Sequence, residues 1–401
     1  MGGETILTKH QKLLTLNLFL LTFVLGTSEF VIVGLLSEVA DDLTISISMA
    51  GALVSTFAIA FAIGTPILTA LSSRFAKYPL MLTLILLFIA GNILSALSET
   101  YGLLFVSRIL TAVVTGVLIA LAMAVASEVM PAEKRGPVIS IIFTGFTIAS
   151  VIGVPIGTYI GQSGGWRLTF WFTTLLGSIS LFASSVTIPK GLIGTKSSLK
   201  KQIGLLTNSR IIIAFFIPAL SIAATYTVYT YLTPLLLDVL LIPERSISLV
   251  FLLYGVVSIF STIIGGKLVT RNAIGKLRYI FLIQAMILGL FYVSSNSIVA
   301  GLLNISFIAL IVYIMNSTMQ LYFIDLADKN YPSAKNLAAA LTPVSVNVGI
   351  ALGSALGGFV TTNMRLIDVS WVGGIVAISA ALLTFISYHF DQKASTQNNI
   401  N

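Results

Sequence analysis

Apolar residues run almost unbroken along this chain, and polar residues gather in short breaks between the runs. Each run holds about 20 residues, enough for a helix to cross a hydrocarbon layer of about 30 Å. The pattern predicts twelve spans, at 13–36, 47–71, 79–97, 102–127, 136–161, 167–188, 211–237, 246–268, 277–294, 297–323, 334–362 and 366–390. Within them apolar and polar positions do not alternate, as the strands of a membrane barrel would require. Helices are the remaining way to satisfy backbone groups where there is no water. The expected fold is an all-α polytopic membrane protein.

Composition agrees with the pattern. Of 401 residues, 57% are hydrophobic and 9% charged, against about 25% charged in soluble domains. The net charge of +8 could suggest a nucleic-acid partner, but its distribution argues otherwise. With the N-terminus placed in the cytoplasm, every Lys and Arg except Arg108, Arg167, Arg245 and Arg365 falls on the cytoplasmic side. That is the bias expected of membrane topology, with both termini inside, and no nucleic acid is expected to bind. The first run is too long for a signal-peptide core and has no cleavage site close behind it, so it counts as a span. Cysteine is absent, which removes disulfides, thiolate metal sites and cysteine nucleophiles.

The longest cytoplasmic break contains "PKGLIGTKSSLKKQ" and divides the chain into two halves. It predicts an N-terminal six-helix bundle over 1–188, a linker over 189–209 and a C-terminal six-helix bundle over 210–401. The halves echo each other. "LSSR" (71–74) ends the second span and "LVTR" (268–271) ends the eighth, so Arg74 matches Arg271. Small residues at Ala149, Gly153, Gly157 and Gly161 return at Gly349, Gly353 and Gly357 with an offset of 200. Internal repeats of this kind point to a transporter with its binding site at the repeat interface.

Two pseudo-symmetric six-helix bundles joined by a basic loop resemble the major facilitator superfamily. Local motifs narrow the resemblance. "GFTIASVIGVPIGTYIG" (145–161) resembles the fifth-span motif of its antiporters, and "SRILTAVVTG" (107–116) the fourth-span motif built around an arginine. "GTSEFVIVGLLSEVADDL" (26–43), "GWRLTF" (165–170) and "YTYLTPLL" (229–236) are similar to the twelve-span drug:proton antiporter family, in its bacterial sugar- and drug-efflux branch. The resemblance implies a multi-pass protein of the bacterial cytoplasmic membrane, working as a monomer. One departure stands out. In "TALSSRFAKYP" (69–79), Ser73 stands where the family places an Asp and Ala76 where it places a Gly, while Arg74 and Lys77 remain. This puts the gating salt bridges attributed to that Asp in doubt.

Glycines four apart make a smooth strip along which another helix can approach and slide. Pro155 removes a backbone donor and loosens the fifth span. Gly145, Gly153, Pro155 and Gly157, with Gly349, Gly353 and Gly357, are therefore candidates either for a seam along which the halves rock or for tight packing in a crowded bundle.

Only Glu29 and Arg108 place charge clearly within spans. Each costs roughly 2.5–3.5 kcal/mol at mid-bilayer on the insertion scale. At 1.5 Å per residue both lie about 9–10 Å from the outer end of their spans, so they are level and able to pair. Glu29 either titrates as a proton relay or forms a fixed pair that holds two helices in register. Spans one, four, seven and ten line the cavity in the resembled family, and each carries a polar face here. Thr22, Gly26 and Glu29 share one face, with Phe30 beside them, and Arg108, Thr111 and Thr115 share another. Tyr226, Tyr229, Thr230 and Thr233 share a face of span seven, and Tyr313, Asn316 and Gln320 a face of span ten. These residues contact either substrate or neighbouring helices. With an offset of 200, Tyr229 matches Glu29, which suggests that the first half senses protons and the second contributes more to substrate binding.

Several motifs are decoys. "GQSGG" (161–165) matches the esterase pattern but is a turn with no strand before it. His10 and His389 lie near span ends, and two histidines without cysteine give no transition-metal cluster. "NIS" and "NST" fall inside span ten. Glu38, Asp41 and Asp42 read as a solvated loop face or a cation-collecting vestibule. The expected function is export of a small molecule, drug-like, sugar or metabolite, in exchange for protons, with no metal or other cofactor. The alternatives are a proton-independent facilitator of the same fold, or a membrane-embedded enzyme or sensor on the same scaffold.

Overall fold

The computed structural model describes residues 7–194, 209–268, 273–330 and 335–398, and the regular elements among them are all helical. Among the described residues twelve helices are long and apolar enough to cross a membrane. They are α1 (Lys9–Gly34), α2 (Ile47–Ser72), α3 (Lys77–Ala96), α4 (Tyr101–Val129), α5 (Ala132–Gly164) and α6 (Trp166–Thr187). Then follow α7 (Ser209–Tyr229), α8 (Ile247–Leu268), α9 (Ala273–Ser294), α10 (Ile298–Ile311 continuing as Met315–Asn330), α11 (Lys335–Asn363) and α12 (Val369–Asn398). Large apolar side chains such as Leu175, Phe182, Leu249 and Phe307 stand exposed on them, as helices facing lipid require. Arg271 and most of the expected linker lie outside the described residues.

Several spans are less regular than their apolar runs predict, and each irregularity has a local cause. The first helix begins at Lys9, four residues early, because Thr8 and Gln11 form a capping box. It ends at Gly34, and a turn at Leu35 leads into a short helix, Leu36–Asp42. In α5, Pro155 brings no N–H to the ladder, and the turn ahead of it, Ala149–Gly153, widens to π geometry. The predicted span 211–237 breaks after Tyr229 and resumes as Leu232–Pro234 and a π turn, Leu235–Val239. Pro234 clashes with the carbonyl four residues earlier, that of Thr230, and the helix opens there. In α10 the Tyr313 N–H leaves the helical ladder for Ser261 Oγ of α8, at 2.9 Å. A side chain inserted into the ladder is enough to interrupt a helix.

The chain divides into two compact units, Met1–Ile45 with Thr56–Ser197, and Ser46–Ser55 with Ser198–Asn401. In the first unit α1 packs on α5 and α6, and α3 packs on α4 and α6. Leu14, Leu18, Leu21, Ile85, Phe88, Leu118 and Ile142 form its central core. In the second unit α7 packs on α11 and α12, and α9 on α12. The opening turns of α2 belong to this unit, where Ser48 Oγ donates to the Gly358 carbonyl at 2.9 Å.

The two small-residue strips serve packing inside their own units. A Cβ on Gly153 would strike Thr27, and one on Gly157 would strike Val31, both on α1. Gly145 sits on the Phe19 backbone and Thr22. In the second unit Gly349 faces Ala219 and Ile222, Gly353 faces Ala223, and Gly357 faces Thr227 and Tyr231. Helix backbones approach closely wherever a side chain would collide.

Candidate functional site

In the first unit the buried polar centre lies where α1, α3, α4 and α6 meet. Ser28 on α1 donates to Asn92 Oδ1 on α3 at 2.8 Å, and Thr173 on α6 donates to the same oxygen at 2.9 Å. Asn92 Nδ2 returns to its own helix at the Phe88 carbonyl, 2.9 Å away. Three helices are thereby fixed around one amide. Arg108 on α4 is 0% exposed. Its Nη1 donates to the Ser28 carbonyl at 2.7 Å and its Nη2 to the Glu29 carbonyl at 3.0 Å. The guanidinium lies 4.4 Å from the centre of the Phe57 ring and 5.8 Å from that of Phe170. Two carbonyl acceptors and two aromatic faces thus surround the cation.

Glu29 is 5% exposed. Arg108 reaches its level, as their depths predict, but takes its carbonyl rather than its carboxylate. Among the described residues no ion pair joins Glu29 to Arg108. The side-chain pairing that their common level allows is not formed here, and the fork of the guanidinium is filled by two successive backbone carbonyls. Glu29 Oε2 is buried without a hydrogen-bond partner, and so is Arg108 Nε. The arrangement is an acid and a base side by side with neither neutralising the other directly.

In the second unit the corresponding amide is Gln284 on α9. Its Nε2 donates to the Ser221 carbonyl and to Thr225 Oγ1, each at 2.9 Å, and Ser221 Oγ donates to its Oε1 at 2.9 Å. Beside it α7 and α8 present a tyrosine cluster with no charge. Tyr229 lies 4.6 Å from Tyr254 in a tilted stack, 5.3 Å from Tyr226 and 6.0 Å from Phe251 between ring centres. Tyr226, Tyr229 and Tyr254 are all buried. The break in α7, at Thr230–Tyr231, directly follows Tyr229 of this cluster, and α10 breaks at Val312–Ile314. Irregular backbone at membrane depth is tolerated where it is buried in protein or lines a cavity.

The other expected residues differ in burial and in the bonds they make. Thr22 donates to the carbonyls of Phe19 and Ile142, and Thr111 to those of Ser107 and Arg108. Phe30 meets Phe146 edge to face at 5.4 Å. Thr115 Oγ1 and Asn316 Oδ1 are buried without partners. Thr233 is buried and Tyr313 half-buried. Gln320 is exposed, and the break at Tyr313 means that Tyr313, Asn316 and Gln320 do not share one continuous helical face. Lys77 is buried at the start of α3 and pairs with Glu128 at the end of α4, while its N–H donates to the Leu192 carbonyl at 3.0 Å. Arg74 is exposed and lies over the Phe75 ring.

At the far end of the first unit, Asp42 is more than a solvated loop residue. It accepts from Arg167 Nη1 at 2.6 Å and from Trp166 Nε1 at 3.1 Å. Partial burial opposes its charge, but these two hydrogen bonds and the Arg167 charge outweigh that and hold its carboxyl below the usual carboxylate range.

Asn92, Gln284, Phe57, Phe170 and Tyr254 escaped the sequence reading. An amide within a span looks like ordinary helix-to-helix glue. The usable signal was the repeat: each amide lies in the third span of its half and bonds a hydroxyl of the first.

Comparison with known proteins agrees with this architecture. The family model described as Major Facilitator Superfamily matches residues 18–336. The uncharacterized MFS-type transporter YtbD of Bacillus subtilis (strain 168) is 39% identical over 90% of this chain and 92% of its own length. The inner membrane transport protein YdhP of Escherichia coli (strain K12) is 31% identical over 91% and 93%. Among solved structures, the nucleoside transporter NupG superposes with a TM-score of 0.74 over 95% of this chain and 99% of its own, at 13% identity. The D-xylose-proton symporter does so with 0.71 over 94% and 97%, at 18% identity. Twelve membrane-length helices, an internally repeated packing scheme and this family match together make the chain a multi-pass transporter that belongs to the Major Facilitator Superfamily.

Proposed function

We propose that this transporter exports a small organic molecule in exchange for protons by alternating access, and that Glu29 carries the proton. The observation that carries the reading is the state of the Glu29 carboxyl. It is buried, one oxygen has no partner, and the adjacent cation is committed to backbone carbonyls. An acid that no ion pair holds in its charged form is free to gain and lose a proton as water reaches it from alternate sides. Arg108 positions Glu29 through the backbone and feels its charge change. The uncharged tyrosine cluster of the second unit supplies substrate contacts, with drug-like, sugar or metabolite cargo compatible with its aromatic faces. The protein works in the bacterial cytoplasmic membrane with both termini inside, in keeping with its basic breaks and with its relative YdhP being an inner membrane transport protein. The same fold serves a proton symporter, so it accommodates proton coupling.

A proton falling through 100 mV releases about 2.3 kcal/mol and so supports a gradient of roughly fiftyfold for a neutral solute exchanged one for one. The test is a flux assay in proteoliposomes with an imposed proton gradient, run against a mixed panel of solutes. The wild type accumulates its cargo. Glu29→Gln abolishes accumulation but keeps exchange of substrate for substrate. Gradient-driven accumulation that survives Glu29→Gln would refute the assignment.

A further inference from the structure

The second unit carries a groove of about 530 Å³ between α8, α9 and α10 that the transport reading does not use. Ile264 and Leu268 of α8, Ile280, Ile283 and Ile287 of α9, and Phe307 of α10 are among its walls. Its lining holds one charged side chain, Lys276, with Tyr279 one turn further along α9. Ile283 and Phe307 are exposed. A surface this apolar, on three membrane-spanning helices, faces hydrocarbon.

Length and charge identify the occupant. Lys276 and Ile287 mark the groove along α9, eleven residues apart, which is about 16 Å at 1.5 Å per residue. One leaflet of a hydrocarbon core of about 30 Å is about 15 Å thick. The groove therefore matches one acyl chain of one leaflet. Its basic end sits where a headgroup phosphate would lie. Lys267, in the last turn of α8, is exposed next to the lining residue Leu268 and adds a second cation at that end. Tyr279 is 54% exposed, at the level where tyrosine favours the membrane interface. Basic pockets between membrane helices on the cytoplasmic side hold anionic headgroups.

We propose that this groove is a binding site for an anionic phospholipid of the cytoplasmic leaflet, its acyl chain against Ile283, Ile287 and Phe307 and its phosphate on Lys276 and Lys267. The site is separate from the buried centres above and does not depend on the identity of the cargo or on proton coupling.

The experiment reconstitutes the full chain in nanodiscs with equal amounts of phosphatidylglycerol and phosphatidylcholine of the same acyl chains. Lipid retained after gentle extraction is counted by native mass spectrometry. The wild type is expected to retain phosphatidylglycerol in preference. Lys267→Gln and Lys276→Gln should each lower that preference by roughly fivefold, and Lys276→Arg should keep it. Ile283→Trp, which fills the groove and leaves both lysines, should lower retention of both lipids. Thermal melting and a monodisperse size-exclusion profile establish that each variant is folded. Equal retention of the two lipids by the wild type overturns the proposal. So does unchanged preference in the Gln variants, unchanged retention in Ile283→Trp, or a lipid-free dimer that the tryptophan disrupts.

Discussion

The buried centres of the two units use the same frame for different chemistry. In each, a glycine strip seats a neighbouring helix: Gly153 and Gly157 receive Thr27 and Val31, and Gly353 and Gly357 receive Ala223 and Thr227. The strips are offset by 200, but their partners are offset by 196. Packing therefore matches Glu29 with Thr225, not with Tyr229 as the strip offset alone suggests. Thr225 is one of the hydroxyls held by Gln284, much as Ser28 is held by Asn92. One frame thus presents a carboxylic acid with a cation behind it, and the other a hydroxyl with none. The shared parts read as scaffold, and the charge confined to one side marks what the scaffold was modified to do.

Removing the cation gives the sharpest test of that contrast. Arg108→Gln removes two charge-assisted hydrogen bonds, those to the Ser28 and Glu29 carbonyls, which keep their bonds within α1. At about 1.5–3 kcal/mol for each bond to a charged group, the loss is roughly 3–6 kcal/mol. Lysine should not rescue it, because a single ammonium cannot fork across two successive carbonyls as a guanidinium does. The matching change on the other side, Thr225→Val, removes one acceptor from Gln284 and should cost about 1 kcal/mol. Thermal unfolding in detergent measures both. Equal effects would mean that Arg108 is no more than another helix-to-helix bond.

A smaller effect separates scaffold from function. Asn92→Ala and Gln284→Ala each remove an amide that holds two hydroxyls of other positions, Gln284 holding the Ser221 carbonyl as well, and each should cost about 1–3 kcal/mol. Only Asn92 is linked, through Ser28, to the carbonyl that holds Arg108. Asn92→Ala should therefore also move the pH profile of gradient-driven flux, and Gln284→Ala should leave it in place. A pH profile that moves in both, or in neither, breaks the distinction.

How much of this was readable beforehand follows from what each feature costs in a membrane. Charge in hydrocarbon is so unfavourable that Glu29 and Arg108 stood out in the sequence, and apolar length alone marked all twelve spans. Amides and hydroxyls cost less and occur in every span, so nothing local singled out Asn92 or Gln284. The carboxylate's lack of an ion pair was equally hidden, because depth along a helix fixes the level of a side chain but not whether a guanidinium meets the backbone or the acid. Pro234 was visible in the sequence, yet its effect on Thr230 and the detour of the Tyr313 N–H to Ser261 depend on neighbours that only the folded chain brings together.

In the tyrosine cluster, Tyr229→Phe keeps the ring stack against Tyr254 and removes one hydroxyl. The expected result is a weaker apparent substrate affinity, by up to about tenfold for one hydrogen bond of about 0.5–1.5 kcal/mol. The pH dependence of flux should not change. A lost pH dependence would place proton sensing in the second unit and dissolve the division of labour between the two centres.

The smallest effect concerns the polar pins at the helix ends. In the first unit Asp42 ties the short helix after α1 to α6 through Arg167 and Trp166, and Arg167 also donates to the Ser98 carbonyl. In the second unit Asp368 accepts from Arg365 and Trp371, each three residues away. The first pin joins distant segments and the second closes one local turn, so Asp42→Asn should lower the unfolding midpoint more than Asp368→Asn. Both changes are modest, because the Asp42–Arg167 pair is partly exposed and such pairs contribute about 1 kcal/mol or less. The pH dependence fixes the sign. The Asp42 carboxyl is held below its ordinary value in the folded chain. Its contribution is therefore complete above the unfolded value of about 3.9 and is lost as pH falls below that toward the folded value. The gap in midpoint between wild type and Asp42→Asn should accordingly be open at neutral pH and close in acid. A gap that widens in acid would mean that the aspartate is protonated more readily in the folded chain than in the unfolded one, and that the pin does not hold its charge.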